Sequence, residues 1–379
     1  MSRQATGDVG ALRTVRADVV GSLLRPEPLR AAREERAAGR LDPVAFKRIE
    51  DRAADVCIAE QEAAGLPVVT DGEVRRLSFQ SQLLEAVDGF GDWDLQALLW
   101  GEWRSDDDAV GDRSVERPPL TVAAPLRRRR FVASEELVYL RARARAAPKV
   151  TLPSPSLFAG FWDPERSRSA YPSLEAFLGD VAEILRAEVD ELERLGCPYV
   201  QLDAPHYPML LEPRYRELYE SRGWPADRWL DLGAELDDHV LAGRDLVTGF
   251  HLCRGNQASR WLVAGGYEGL ASRLFGRIRA DRLLLEYDDE RSGDFAPLAE
   301  VPEGVVAVLG LLTTKSSREE SVDWLRDQVT EAARHLPLEQ LALSPQCGFS
   351  TSVLGNAISV HDQQRKLRRV VEAAEAIWG

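Results

Sequence analysis

Eight short apolar runs, separated by longer stretches with helical periodicity, limit what this chain can fold into more than any other feature. They are ADVVGS (17–22), LPVVTD (66–71), PKVTLP (148–153), CPYVQLD (197–203), LVTGFHLC (246–253), RLLLEYD (282–288), VVAVLGL (305–311) and QLALSPQ (340–346). Their apolarity is continuous rather than alternating, the pattern of parallel strands covered on both faces. Between them lie amphipathic stretches such as residues 173–196, where Leu174, Phe177, Leu178, Val181, Leu185 and Val189 follow three-four spacing. The last such stretch opens with Ser359 and Asp362 in capping-box spacing. Eight strand–helix units predict an α/β fold, a single (β/α)8 TIM barrel over residues 1–379. No G-x-G-x-x-G follows the first run, which argues against an open doubly wound sheet.

The connection after the second run is abnormal, because residues 88–147 separate it from the third. An insertion of that length is expected to be a lid, a hairpin or an oligomer contact, and a homo-oligomer is one expectation. Its run Arg127 to Arg130 reads as solvated surface rather than an anion site. A net charge of −14 disfavours nucleic acid as a partner. No apolar run approaches the roughly 18 residues of a membrane span, and the opening residues lack the apolar core of a signal peptide. The expected location is therefore cytoplasmic, with no membrane partner. Four cysteines in such a chain do not indicate a disulfide framework. Cys57 and Cys197 are expected in the core, where a free thiol packs as a small hydrophobe.

The other two cysteines have different neighbours. Barrel enzymes carry their chemistry where strands end and the following loops begin. His251 and Cys253 close the fifth run, and side chains two apart on a strand point the same way. The sixth run brings Glu286 to the same rim, and the eighth brings Cys347 beside a glycine. One histidine, one glutamate and two cysteines form a tetrahedral set suited to zinc rather than magnesium or calcium. The competing reading is two buried structural thiols and a hydrogen-bonded core histidine.

The stretches DGE (71–73), QLDAP (201–205), HLCRGN (251–256), LEYDDERSGDFAPL (285–298) and LSPQCGFST (343–351) resemble the catalytic half of cobalamin-independent methionine synthase. They resemble still more its stand-alone single-barrel relatives, which include a coenzyme M transferase acting on epoxides. The resemblance implies a zinc ion held by His251, Cys253, Glu286 and Cys347 that binds the acceptor thiol, and a hard carboxylate such as Glu286 should be the ligand that yields to sulfur. It also implies that Glu73 and Asp203 receive the acceptor's ammonium group, with contacts from Gly21 and Ser22. His206, close behind Asp203, is a candidate acid for the leaving group.

Two departures from the family pattern bear on the donor. Ala204 and Pro205 stand where the synthase carries a second acid after its aspartate. Thr313, Thr314 and Lys315 replace a histidine-serine-proline stretch after the seventh run. Lys315 in that place either pairs with a substrate anion or caps the strand in solvent. The expected substrates are a small thiol, homocysteine by default, and a methyl or alkyl donor: methylfolate, a methylated corrinoid or another small donor. Phe158, Phe161 and Trp162 are candidates to stack a flat donor, or else packing. The alternatives are thiol addition to an epoxide, with Lys315 or Arg254 anchoring a sulfonate, and a zinc-binding barrel without catalysis.

Overall fold

The computed structural model describes residues 9–221 and 224–379. The apolar runs build one curled parallel sheet. In chain order its strands and those of the insertion are β1 (Val68–Val69), β2 (Val87–Phe90), β3 (Gly101–Trp103), β4 (Arg113–Val115), β5 (Val122–Arg128), β6 (Ala147–Pro153), β7 (Tyr199–Asp203), β8 (Val247–Leu252), β9 (Arg282–Glu286), β10 (Val306–Leu312) and β11 (Leu341–Pro345). The main sheet runs β1-β6-β7-β8-β9-β10-β11 with every neighbouring pair parallel, a TIM-barrel-like arrangement. Every residue of these strands is buried, as continuous apolarity predicts.

Seven of the eight expected strands form; the first is different. Residues 17–22 lie in the eighth position but make a single strand-like bridge, Ala17 to Leu343. Hydrogen bonds from Asp18 N to Leu343 O (2.9 Å) and from Leu23 N to Gly72 O (3.0 Å) tie the segment to both edges of the sheet. Side chains have taken over its ladder. The carbonyl of Val19 accepts from Lys149 Nζ, that of Val20 from Gln201 Nε2 and that of Gly21 from Thr70 Oγ1. Backbone groups paired in this way are satisfied without a neighbouring strand.

Helices clad the sheet. The helix Leu174–Arg194 is capped by Ser173 and buries the residues that its sequence spacing selected. The closing helix Val360–Trp378 carries the complete Ser359–Asp362 capping box. Cys57 and Cys197 are buried in the core as expected. At the N-terminal ends of the strands, Asp18 accepts from Lys149 Nζ (2.9 Å), Arg282 Nε (3.0 Å) and Tyr199 OH (3.0 Å). Burial alone would push the Asp18 carboxyl up, but the two cations hold it below its ordinary range.

Between β1 and β6 the chain makes two antiparallel ribbons, β2 with β5 and β3 with β4, followed by the helix Ser134–Arg143. Arg127 and Arg129 pair with Asp88 at 3.0 Å, in solvent. Among the described residues no helix is long and apolar enough to cross a membrane.

Candidate metal and acceptor site

The C-terminal ends of the strands surround one open cleft of about 1100 Å³. Cross-strand register sets Asp203, the last residue of β7, beside His251 on β8. Two residues on, Cys253 leaves the strand, and Cys347 follows β11. Ligand atoms of His251, Cys253 and Cys347 all lie within 4.8 Å of one another, and all three residues are buried. The loop carrying Cys347 must pass very close to residue 22, since a Cβ on Gly348 would meet Ser22 Oγ at 2.0 Å. Close approach, rather than a special backbone angle, is why glycine stands there.

The protonation pattern of this trio follows from its neighbours. His251 Nδ1 lies 3.1 Å from the carbonyl of Leu284, which can only accept, so Nδ1 carries the proton. Nε2 is left bare, buried and without a hydrogen-bond partner. A histidine oriented through a backbone carbonyl with its other nitrogen free is the usual posture of a metal ligand. The hydrogen bond from Cys347, opposed by burial and helped by His251, holds the Cys253 thiol well below its ordinary range. The same contact holds Cys347 well above. One sulfur is thus ready to be anionic. A bare imidazole nitrogen and two thiols, one already acidic, are donors that zinc takes and that magnesium or calcium do not.

Glu286 stands outside that trio. Its Oε2 accepts from the backbone N–H of Arg254 (2.7 Å) and its Oε1 from Lys315 Nζ (3.2 Å). Lys315 also donates to Asp288 Oδ2 at 2.9 Å, so the cation faces two protein carboxylates. Arg254 is equally committed. Its guanidinium donates to the carbonyls of Gly265, Glu286 and Ser292 and stacks 4.2 Å from the ring centre of Tyr267.

Glu73, Asp203 and Ser22 all line the cleft. Glu73 has φ +54°, an uncommon angle for a residue with a side chain, and Asp71 Oδ1 accepts its N–H at 2.8 Å. Thr151 Oγ1 donates to Glu73 Oε1 at 2.7 Å. Oε2 has no hydrogen bond, and Arg76 Nη1 is 3.6 Å from it. Gly21 makes room: a Cβ there would lie 2.3 Å from Glu73 Oε1. Burial, with the charge of Glu73 adding and that of His251 opposing, pushes the Asp203 carboxyl up to about 7. Gln201 Nε2 donates to Asp203 Oδ1 at 2.7 Å.

His206 is placed differently. It is buried against Tyr207, with Nε2 at 2.7 Å from Ser156 Oγ, and burial lowers its pKa to about 3. At neutral pH it is uncharged, a poor source of a proton. Of the aromatic trio only Phe161 reaches the cleft; Phe158 packs against Phe90 at 6.1 Å.

Sequence reasoning missed the outer wall. Leu98, Leu99, Trp100, Trp103 and Leu120, all from the insertion, line the cleft. The available signal was an apolar LLWGEW inside an otherwise charged connection. Asn256, the last residue of the HLCRGN stretch, is a further site residue that the motif alone did not mark. Asn256 Nδ2 donates to Gly348 O (2.7 Å) and Thr314 Oγ1 (2.9 Å), bracing the loop of Cys347.

Residues 15–376 match the family described as the catalytic domain of cobalamin-independent synthase. Two uncharacterized proteins of Bacillus subtilis (strain 168), YxjH and YxjG, are 33% and 34% identical to this chain, covering 96% of it and 94% of each relative. The methionine synthase of Pyrococcus abyssi (strain GE5 / Orsay) is 25% identical over 87% of this chain and 85% of its own. Among solved structures, a Listeria monocytogenes protein assigned as a vitamin-B12-independent methionine synthase superposes with a TM-score of 0.73 at 26% identity, covering 96% of this chain and 98% of that one. The B12-independent methionine synthase of Shewanella sp. W3-18-1 shares the fold, with a TM-score of 0.70 at 19% identity over 96% and 98%.

Proposed function

The chain belongs to the family of the cobalamin-independent synthase catalytic domain, and on that premise we propose that it transfers a methyl or other alkyl group to the sulfur of a small thiol, homocysteine by default, yielding methionine. One observation carries the reading: the bare His251 Nε2 and the thiols of Cys253 and Cys347 stand at the base of the same cleft as the carboxylates of Glu73 and Asp203. The first group suits a thiol-activating metal; the second suits an ammonium ion.

His251, Cys253 and Cys347 would hold zinc, and Glu286, the fourth ligand that the resemblance implied, would reach it only by leaving Lys315 and the Arg254 N–H. When bound, zinc lowers the pKa of a coordinated thiol from about 8.5 to near neutrality without oxidising it. Glu73 Oε2, free of hydrogen bonds, and Asp203 receive the amino group and so fix where the acceptor sulfur lies. Ser22 and Gly21 close the side of the cleft next to them. The apolar wall of Trp100, Trp103 and Leu98 excludes water and packs the body of the donor. In the transfer, the new S–C bond forms as the donor's bond to that carbon breaks, the leaving group keeps the electron pair, and the thiol proton passes to solvent.

The cations that an epoxide-opening enzyme would need for a sulfonate thiol are engaged elsewhere. Lys315 faces Glu286 and Asp288, and Arg254 is used up by three carbonyls. This favours an amino-acid acceptor. A barrel that merely carried a structural metal would have no use for an open cleft lined by two carboxylates, one with an oxygen free of hydrogen bonds.

Elemental analysis tests the reading. Wild-type protein should retain stoichiometric zinc and convert homocysteine to methionine with a suitable methyl donor. Cys347→Ser should lose zinc and turnover together while its far-UV circular dichroism stays unchanged. Wild-type turnover in metal-free Cys347→Ser would contradict it.

A further inference from the structure

We propose that Lys315 is a positioning residue that holds the Glu286 carboxylate away from His251, Cys253 and Cys347, leaving the fourth coordination place to the incoming thiol, and that Asp288, sharing the same ammonium, limits how strongly it does so. The inference rests on the zinc reading above and goes beyond it by assigning a restraint on one ligand.

The geometry is specific. Glu286 ends β9, with its backbone N–H fixed by Tyr267 OH (2.9 Å) and its carbonyl by Arg254 Nη1 (2.9 Å). Only the side chain is left to choose a partner. Its two oxygens are taken by Lys315 Nζ (3.2 Å) and the Arg254 N–H (2.7 Å), and it does not join the trio of donors. Lys315 cannot drift off, because Asp288 Oδ2 holds it at 2.9 Å and both residues are buried. Asp288 in turn keeps Oδ1 without a hydrogen bond, so its remaining attraction is directed to the same ammonium.

Charge decides how the restraint works. A buried hydrogen bond between charged partners contributes about 1.5–3 kcal/mol, which corresponds to roughly 10- to 150-fold in an equilibrium constant. For Glu286 to reach a metal it must give up that contact. Lys315 therefore weakens the hard ligand selectively and leaves the two sulfurs and the imidazole untouched. Asp288 acts in the opposite sense, since it draws part of the ammonium's charge away from Glu286.

These roles predict opposite signs for two variants, which a merely structural role for the pair would not. Zinc affinity is measured on the full-length protein by chelator competition, and the donor set by zinc X-ray absorption and by the visible spectrum of the cobalt-substituted form. In Lys315→Gln, zinc should be held about tenfold more tightly, with an additional oxygen donor in the thiol-free spectrum and weaker homocysteine binding. Asp288→Asn should bind zinc several-fold less tightly, because Lys315 then faces Glu286 alone. Zinc-loaded wild type, together with a folded Lys315→Gln that holds the metal no more tightly, would overturn the proposal by itself. If Lys315→Gln does not fold, zinc affinity in Asp288→Asn that is unchanged or raised has the same force. Wild-type protein that binds no zinc would remove the underlying reading, and this one with it.

Discussion

Replacing Gly21 by alanine perturbs the acceptor site through a single methyl group. The added Cβ would sit 2.3 Å from Glu73 Oε1 and 3.0 Å from Thr151 Cγ2. Carbon and oxygen need about 3.5 Å, so the carboxylate must retreat by roughly 1 Å. That retreat breaks the 2.7 Å bond from Thr151 Oγ1, a hydrogen bond to a buried charge. Overpacking costs about 1–3 kcal/mol, and a hydrogen bond to a charged group contributes about 1.5–3 kcal/mol. Allowing for partial relaxation, the combined loss is about 2–4 kcal/mol. A chain of 379 residues loses roughly 1.3 °C of Tm per kcal/mol, so calorimetry should show a fall of about 3–5 °C. The KM for homocysteine should rise at least about tenfold, since 1.4 kcal/mol is that factor. Shortening the acid restores the space: Gly21→Ala combined with Glu73→Asp should recover much of the lost Tm, a strongly non-additive pair. If Gly21→Ala melts with the wild type, or the two substitutions simply add, Gly21 is not what gives Glu73 its place.

Two further tests probe the scaffold. Asp18→Asn removes the charge that pairs with Lys149 and Arg282 in the barrel floor and should cost about 3–5 kcal/mol, because two buried cations lose their counter-charge; a Tm within 1–2 °C of wild type would show that the triad contributes little. The carboxyl of Asp237, buried beneath Tyr207 OH, is pushed up to about 7 by desolvation. Its folded pKa exceeds the unfolded value near 4, so the folded state binds the extra proton and stability falls as pH rises from about 4 to 7. Asp237→Asn should flatten that slope in melts taken across the range, and an identical slope in the variant would assign it to other groups.

The parts of this protein that could be read from its sequence are those where one physical rule decides. Strands buried on both faces must be continuously apolar, so β6 to β11 were legible almost to the residue. The helix Leu174–Arg194 was legible because its buried stripe has one period and Ser173 one capping role. Residues 17–22 read as a strand by the same rule, yet Lys149, Gln201 and Thr70 reach their carbonyls from distant parts of the chain, which no local pattern reveals. His251, Cys253 and Cys347 were found from strand-end logic. The engagement of Glu286 by Lys315 was not, since it depends on where a loop after β10 turns back. Trp100 and Trp103 were assigned no role because an aromatic residue in an insertion has the same composition whether it faces solvent, core or cleft.

The closing segment of the barrel has a consequence for how the molecule comes into being on the ribosome. Residues 16–23 are made long before their partners Leu343, Gly348 and Phe349. Until then Ser22 has no loop to lean on and Cys347 does not exist beside Cys253. The pocket becomes competent only when these two segments meet, so a chain stopped before Leu343 would lack both the Cys347 sulfur and the loop packed on Ser22.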